Sequence, residues 1–336
     1  MVDEQVVATW CAAQGFAATQ VTSLGSQASG RTYYRARARD QTRVIMHTPL
    51  EDKPAEIGGD VGGDELPFRR VRTWLEEQDI PVPIEYVWDP EERLLMIEDL
   101  GDETLEDALS HRAQADIYGE AVDLLALLHE RTKDAGADDL PGLAKRFDAK
   151  FLRWELDHFR EYLIDARQGA MPAEQREQLD PILQRLAAEV AAIPEGFVHR
   201  DYQSRNLMAS PRGLVVIDFQ DALRGPFLYD LVALLRDSYV EVAEPLLSEL
   251  LERYRTQRSA MPDAATFRRW FDLQSLQRKL KDSGRFVYID QVRHNPSFLQ
   301  HIPLSLKYVD EAFDRLPEYS DLRRLVAPLV PELRVV

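Results

Sequence analysis

The stretch Gly196-Phe197-Val198-His199-Arg200-Asp201-Tyr202-Gln203-Ser204-Arg205-Asn206-Leu207-Met208 decides how the chain is read, together with its continuation to Ala222. Asp201 and Asn206 stand five positions apart. Beyond them, Leu214 to Ile217 is an unbroken apolar run that ends in Asp218-Phe219. Pro211-Arg212-Gly213 lies between the two halves and is suited to a tight turn, so they are expected to pair as a β-hairpin-like unit. That pairing brings Asp201, Asn206 and Asp218 towards one end.

Phosphoryl transfer needs this combination. One carboxylate orients and deprotonates the attacking hydroxyl, while a neutral oxygen ligand and a second carboxylate hold magnesium on the nucleotide phosphates. The order and the Asp-to-Asn spacing match the kinase catalytic loop H-R-D-L-x-x-x-N followed by D-F-G. Here the two motifs read HRDYQSRN and DFQ, with Gln220 in place of the glycine. Taken singly, Asp201 and Asp218 are ordinary turn and strand-end residues. The joint spacing on a strand–loop–strand context is what argues for chemistry.

The chain has 336 residues, enough for two lobes with a core each. The expected division is 1–98, an antiparallel sheet with a helix, and 99–336, mostly helical. A net charge of −17 argues against a nucleic-acid binder or an anionic-membrane binder. The single cysteine, Cys11, excludes an intrachain disulfide and reads as a small buried hydrophobe on a helix. Met1-Val2-Asp3-Glu4 has no basic run before an apolar one, and no segment reaches the ~20 apolar residues of a membrane span. A cytoplasmic monomer is expected, in the compartment that supplies ATP.

Asp3 to Gly15 has the pattern of a helix, and Val21–Leu24 and Arg31–Arg39 that of strands around the small-residue loop Gly25-Ser26-Gln27-Ala28-Ser29-Gly30. Such a loop lets backbone N–H groups approach phosphate, although a plain hairpin turn reads the same way. The third strand, Arg43 to His47, carries Met46 where kinases place a phosphate-binding lysine. Arg31, Arg35 and Arg43 are candidate replacements, and a solvated strand face explains them equally. Pro49 to Gly63 reads as a mobile loop and Asp64 to Gln78 as a helix, with Glu65 as a first-turn carboxylate. Two further strands, Ile84–Trp88 and Arg93–Ile97, lead to Glu98-Asp99-Leu100-Gly101, a hinge whose main chain at Glu98 and Leu100 is suited to adenine.

From Thr104 the pattern is helical. Phe151, Trp154, His158, Phe159 and Tyr162 form a stripe at helical spacing, which reads as core, and Glu155 beside it reads as a solvated face or a sugar contact. Asp230 opens a helix, either as a first-turn carboxylate or as a brace for the catalytic loop. Gln277, Arg278, Lys279 and Lys281 form a basic cluster in an acidic chain.

These motifs resemble the aminoglycoside phosphotransferase and choline kinase-like superfamily. Within it they are most similar to the bacterial anomeric kinases that phosphorylate N-acetylmuramate and N-acetylglucosamine at C1. The matching stretches are Ser26 to Arg35, Val44-Ile45-Met46, Glu98 to Gly101, His199 to Met208, Asp218 to Ala222, Gly225 to Asp237 and Leu276 to Lys281. A methionine at the place of Met46 is usual there. Gly30, His47-Thr48 and the long Gly-rich loop depart from the pattern. The resemblance implies a bilobal, protein-kinase-like α+β fold with ATP and Mg2+ as cofactors and a small sugar as substrate. It implies Asp201 as base and Arg205 beside the base or the γ-phosphate. Asn206 and Asp218 become metal ligands. Gly25, Ser26, Gln27, Ala28, Ser29, Met46, Glu98 and Leu100 become nucleotide contacts. Gln203, Gln220, Arg278, Lys281 and Glu155 become acceptor contacts, with Arg278 or Lys281 meeting a lactyl carboxylate. His199 and Asp230 become supports.

Overall fold

A computed structural model describes residues 2–26, 30–48 and 66–333. The expected contacts Gln27, Ala28 and Ser29, the loop 49–63 and Glu65 lie outside the described residues. Helix α1 (Glu4–Ala13) starts where the Asp3 carboxylate accepts the Gln5 N–H at 2.7 Å. It lies on a five-stranded antiparallel sheet of order β1-β2-β3-β5-β4. The strands are β1 (Gln20–Ser26), β2 (Thr32–Ala38), β3 (Gln41–His47), β4 (Glu85–Asp89) and β5 (Leu94–Glu98). Alternation along the strands splits their side chains between two faces. Tyr34, Ala36, Ile45, Leu94 and Met96 pack under Val7, Trp10 and Cys11 of α1. Met46, Leu95 and Ile97 face the other way, against Phe68, Val71, Trp74 and Leu75 of α2 (Pro67–Glu77). Burial raises the Cys11 thiol to about 11, in keeping with a packing role.

The remainder is mostly helical, so the architecture is the expected α+β one. α3 (Leu105–Ala108) and α4 (Gln114–Arg131) come first. Next, α5 (Ala149–His158) runs through a π-helical segment, Phe159–Asp165, into α6 (Ala166–Gln168). After α7 (Ala173–Ala191) come four short strands, β6 (Glu195–Val198), β7 (Leu207–Ser210), β8 (Gly213–Val216) and β9 (Leu223–Pro226). Then follow α8 (Leu228–Leu235), α9 (Leu246–Thr256), α10 (Ala264–Arg293), α11 (Ile302–Arg315) and α12 (Ser320–Val326). β7 and β8 form the expected hairpin, with Ser210 opposite Gly213 across Pro211-Arg212. Gly213 takes φ +99°, a conformation that a side chain would strain. Phe68 of α2 stacks on Phe219 at 4.9 Å and joins the sheet to the end of this hairpin.

The aromatic stripe on α5 departs from its expected core role. Phe159 is fully buried, but Trp154 is 41% exposed. The α-helical period breaks at His158, where the π turn begins. There α10 crosses so closely that a Cβ on Gly284 would lie 2.3 Å from the His158 carbonyl oxygen and 2.7 Å from Phe159 Cα. This backbone-to-backbone contact fixes α5 against α10 and leaves the outer members of the stripe as the wall of a cavity. Gly284→Ala is expected to destabilise the protein by about 3 kcal/mol, because neither helix has a side chain that can yield. Urea unfolding would measure this, and an unchanged midpoint would show that the helices separate freely.

Candidate active site

The loop between β6 and β7 is held from behind. Asp230 on α8 has no exposed surface, and its two oxygens accept the His199 N–H at 2.6 Å and the Arg200 N–H at 3.0 Å. Of the two readings open for Asp230, the observed contacts are those of a brace. They hold Arg200 at φ +80°. His199 Nε2 lies 2.9 Å from the Ile217 carbonyl oxygen and its Nδ1 accepts the Asp201 N–H at 3.3 Å, which assigns the ring N–H to Nε2. A second buried carboxylate, Asp237, accepts the Ser204 N–H at 2.9 Å and the Ser204 hydroxyl at 2.6 Å. No spacing in the sequence marked Asp237 for that work.

These braces place the three expected groups. The Asp201 side chain is half exposed, with Oδ1 3.5 Å from Arg278 Nη2. Burial pushes its carboxyl up, but Arg278, Arg200 and Lys281 together hold it below the ordinary range, so it is ionised at neutral pH. Asn206 donates from Nδ2 to the Asp201 carbonyl oxygen at 2.7 Å, which orients its Oδ1 as a ligand atom. Asp218 sits at φ +63° and accepts from Gln220 Nε2 at 2.8 Å. Burial pushes its carboxyl up and the charge of Asp201 adds to this, against the Gln220 hydrogen bond. A divalent cation would relieve both effects. Among the described residues no three His, Cys, Asp or Glu side chains converge as a metal cage. Asn206 and Asp218 supply two oxygen donors, which suits a hard ion that takes its remaining ligands from phosphate and water.

Asn206 and Asp218 line a cleft with Leu24, Tyr33, Val44, Glu98, Leu100 and Gln220. The expected nucleotide contacts divide here. Glu98 and Leu100 border the cleft, and Gly25 and Ser26 end β1 beside Leu24. Met46 requires a correction. It is fully buried in the core between the sheet and α2, and Val44, two residues earlier on the same face, lines the cleft instead. Gln220 requires another, since it borders this cleft beside Asp218 and not the acceptor side. Arg212 from the β7–β8 turn pairs with Glu98 at 2.7 Å, and Arg35 pairs with Asp99 and Asp102 at 2.8 Å each.

Asp201 also opens onto a second cavity, which contains Glu155, Gln203, Arg278 and Lys281. Phe151, Trp154, Tyr229 and Tyr239 supply its aromatic walls. Glu155 is no solvated residue: it is buried and accepts from the Tyr229 hydroxyl at 3.1 Å and from Gln277 Nε2 at 2.9 Å. Arg278, 1% exposed on its side chain, donates to the Arg200 carbonyl oxygen at 2.9 Å and lies over the Tyr229 ring at 4.4 Å. Lys281 lies 3.1 Å from Asp282 and 3.9 Å from Glu155. Arg205 is placed elsewhere than expected. Its guanidinium is paired with Glu106 of α3, with one bond of 3.1 Å, and stacks on Tyr239 at 3.7 Å. Tyr229, Tyr239 and Arg285, which the linear reading did not single out as site residues, join the cavity.

Comparison with known proteins agrees with this geometry. An N-acetylmuramate/N-acetylglucosamine kinase of Pseudomonas aeruginosa is 32% identical over 317 residues, covering 92% of this chain and 88% of that one. The choline kinase LicA from Streptococcus pneumoniae superposes with a TM-score of 0.62 at 15% identity, covering 94% of this chain and 99% of that one. A gentamicin complex of the aminoglycoside phosphotransferase APH(2")-IIa gives a TM-score of 0.62 at 16% identity, covering 91% and 97%. These likenesses identify the bilobal kinase-like fold. With residues 20–269 matching the phosphotransferase enzyme family, the chain belongs to that family.

Proposed function

We propose that this protein is an ATP-dependent kinase that phosphorylates the anomeric C1 hydroxyl of an amino sugar, N-acetylmuramate or N-acetylglucosamine or both. One observation carries the reading. Asp201 opens onto the aromatic and charged cavity, while Asn206, bonded to the Asp201 carbonyl oxygen, opens with Asp218 onto the hinge-side cleft. An acceptor in the first and a triphosphate in the second meet at Asp201. The relative from Pseudomonas aeruginosa supports the choice of sugar.

In this mechanism ATP lies in the cleft, with adenine bonded to main chain at Glu98 and Leu100. The Glu98 N–H already donates to the Ile84 carbonyl oxygen at 2.8 Å, so the expected contacts are the Glu98 carbonyl and the Leu100 N–H. Asn206 and Asp218 would hold Mg2+, which would supply charge neutralisation for the transferring phosphoryl group. Asp201 accepts the proton of the C1 hydroxyl, whose oxygen bonds to the γ-phosphorus as the bridging bond to ADP breaks. An anomeric hydroxyl is more acidic than a simple alcohol, so an ionised carboxylate serves as its base. A C–H face of the sugar packs on Trp154, the exposed aromatic wall of the cavity. Arg200, Arg278, Lys281 and Arg285 make the cavity a poor place for a polycation or a quaternary ammonium.

The four cations are not equivalent. Arg278 and Lys281, expected to meet a lactyl carboxylate, are already neutralised by Asp201, Asp282 and Glu155. Among the described residues neither Arg200 nor Arg285 has an ion-paired carboxylate; the Arg200 guanidinium lies over Phe147 at 5.7 Å and that of Arg285 over Tyr288 at 4.5 Å. Arg200 belongs to the loop that presents Asp201, so Arg285 is the cation we assign to the lactyl group. We place the lobe boundary after Glu98, the last residue of β5. We read the enzyme as a cytoplasmic monomer; among the described residues no helix is long and apolar enough to cross a membrane.

Asp201→Asn is expected to lower kcat by ~100-fold or more with near-normal ATP affinity. ADP release with each sugar, beside a nucleotide titration, measures both, and undiminished turnover removes Asp201 as the base. Arg285→Ala is expected to raise KM for N-acetylmuramate about tenfold or more while sparing N-acetylglucosamine, which has no carboxylate. Equal losses with both sugars would move carboxylate recognition to another residue.

A further inference from the structure

A triphosphate brings several negative charges into a cleft that already contains Asp218, and the third strand carries Met46 where a lysine would receive them. The described arginines of the sheet are mostly engaged. Arg35 is paired with both Asp99 and Asp102. Arg43 lies over the Tyr86 ring at 4.1 Å and donates to the Thr42 carbonyl oxygen. Arg93 donates to the Thr48 carbonyl oxygen.

Arg31 differs from these. It is only 7% exposed, and its buried Nη1 has no hydrogen-bond partner. A buried guanidinium with an unmet donor is costly, and its persistence argues for a ligand that satisfies it. Arg31 directly precedes β2, at the end of the connection from β1. Along the extended chain, residues 31, 33 and 35 share a face. Tyr33 and Arg35 of that face line the cleft, and Tyr33 lies opposite Met46 in the sheet. Burial raises the Tyr33 hydroxyl, and the positive charge of Arg31 opposes this, which sets Arg31 beside that cleft-lining side chain.

We propose that Arg31 binds the nucleotide phosphates, so that the cation a lysine would supply from the third strand comes from the start of the second. A guanidinium fork matches two phosphate oxygens and remains charged when buried. The proposal rests on the cleft being the ATP site, and it makes no use of the acceptor.

Calorimetric titration without sugar tests it, with MgATP and adenosine added in turn to wild type, Arg31→Met and Arg31→Lys. Arg31→Met is expected to weaken MgATP binding about tenfold or more and to leave adenosine within about twofold. Arg31→Lys should retain part of the difference. Without ligand, Arg31→Met should melt at or above the wild-type temperature, because a buried guanidinium with an unmet donor has been removed. Unchanged MgATP affinity, or equal losses for MgATP and adenosine, would overturn the proposal. Should Arg31→Met fail to fold, Arg31→Gln replaces it under the same criteria. Wild type that binds MgATP through Arg31 but phosphorylates no amino sugar would sink the acceptor assignment alone.

Discussion

The reactive geometry depends on one buried carboxylate. Asp230, inside α8, accepts two consecutive main-chain N–H groups, those of His199 and Arg200. Without it, two buried donors would lose their partner, at a cost of about 1–3 kcal/mol each. The same residue is held from its other end, since Arg278 donates to the Arg200 carbonyl oxygen. Bracketed in this way, Arg200 keeps φ +80° and the chain turns sharply enough to present Asp201. Asn206 then bonds back to the Asp201 carbonyl, so Asp201 and Asn206 move as one body.

Charge compensation along α10 makes the cavity beside Asp201 possible. This helix buries Arg278, Lys279 and Asp282, and the tyrosine and carboxylates opposite answer them. Lys279 lies 2.7 Å from Asp282, whose carboxyl stays ionised despite burial because three cations surround it. Glu155 reaches the cluster from α5. A network this buried is costly if any member is lost, so it fixes the cavity's shape as well as its charge. The close crossing at Gly284 sets the distance between α5 and α10, and so the width available to a sugar.

The nucleotide side is organised differently. The sheet and the catalytic hairpin meet through Phe68 on Phe219 and through the Arg212–Glu98 ion pair beside the hinge. The half-exposed ion pair contributes little stability by itself. The stacked rings are the firmer link, because they are dry and continue the core shared by α2, α4 and β8.

The sequence by itself determined the elements and the reactive trio. Alternating strands, the Pro211-Arg212-Gly213 turn and the fixed spacing of Asp201, Asn206 and Asp218 are local features, governed by backbone sterics and by the five-residue separation of base and ligand. Only the tertiary structure decided which other side chains face the site. The stripe from Phe151 to Tyr162 has the spacing of a core face, yet the crossing of α10 turns part of it into a cavity wall. Met46 and Val44 differ by two positions, and the pattern could not tell which one the core would take. Arg205 looked free until Glu106, 99 positions away, met its guanidinium. Burial and long-range ion pairing depend on neighbours brought in from distant segments, and no run of consecutive residues encodes them.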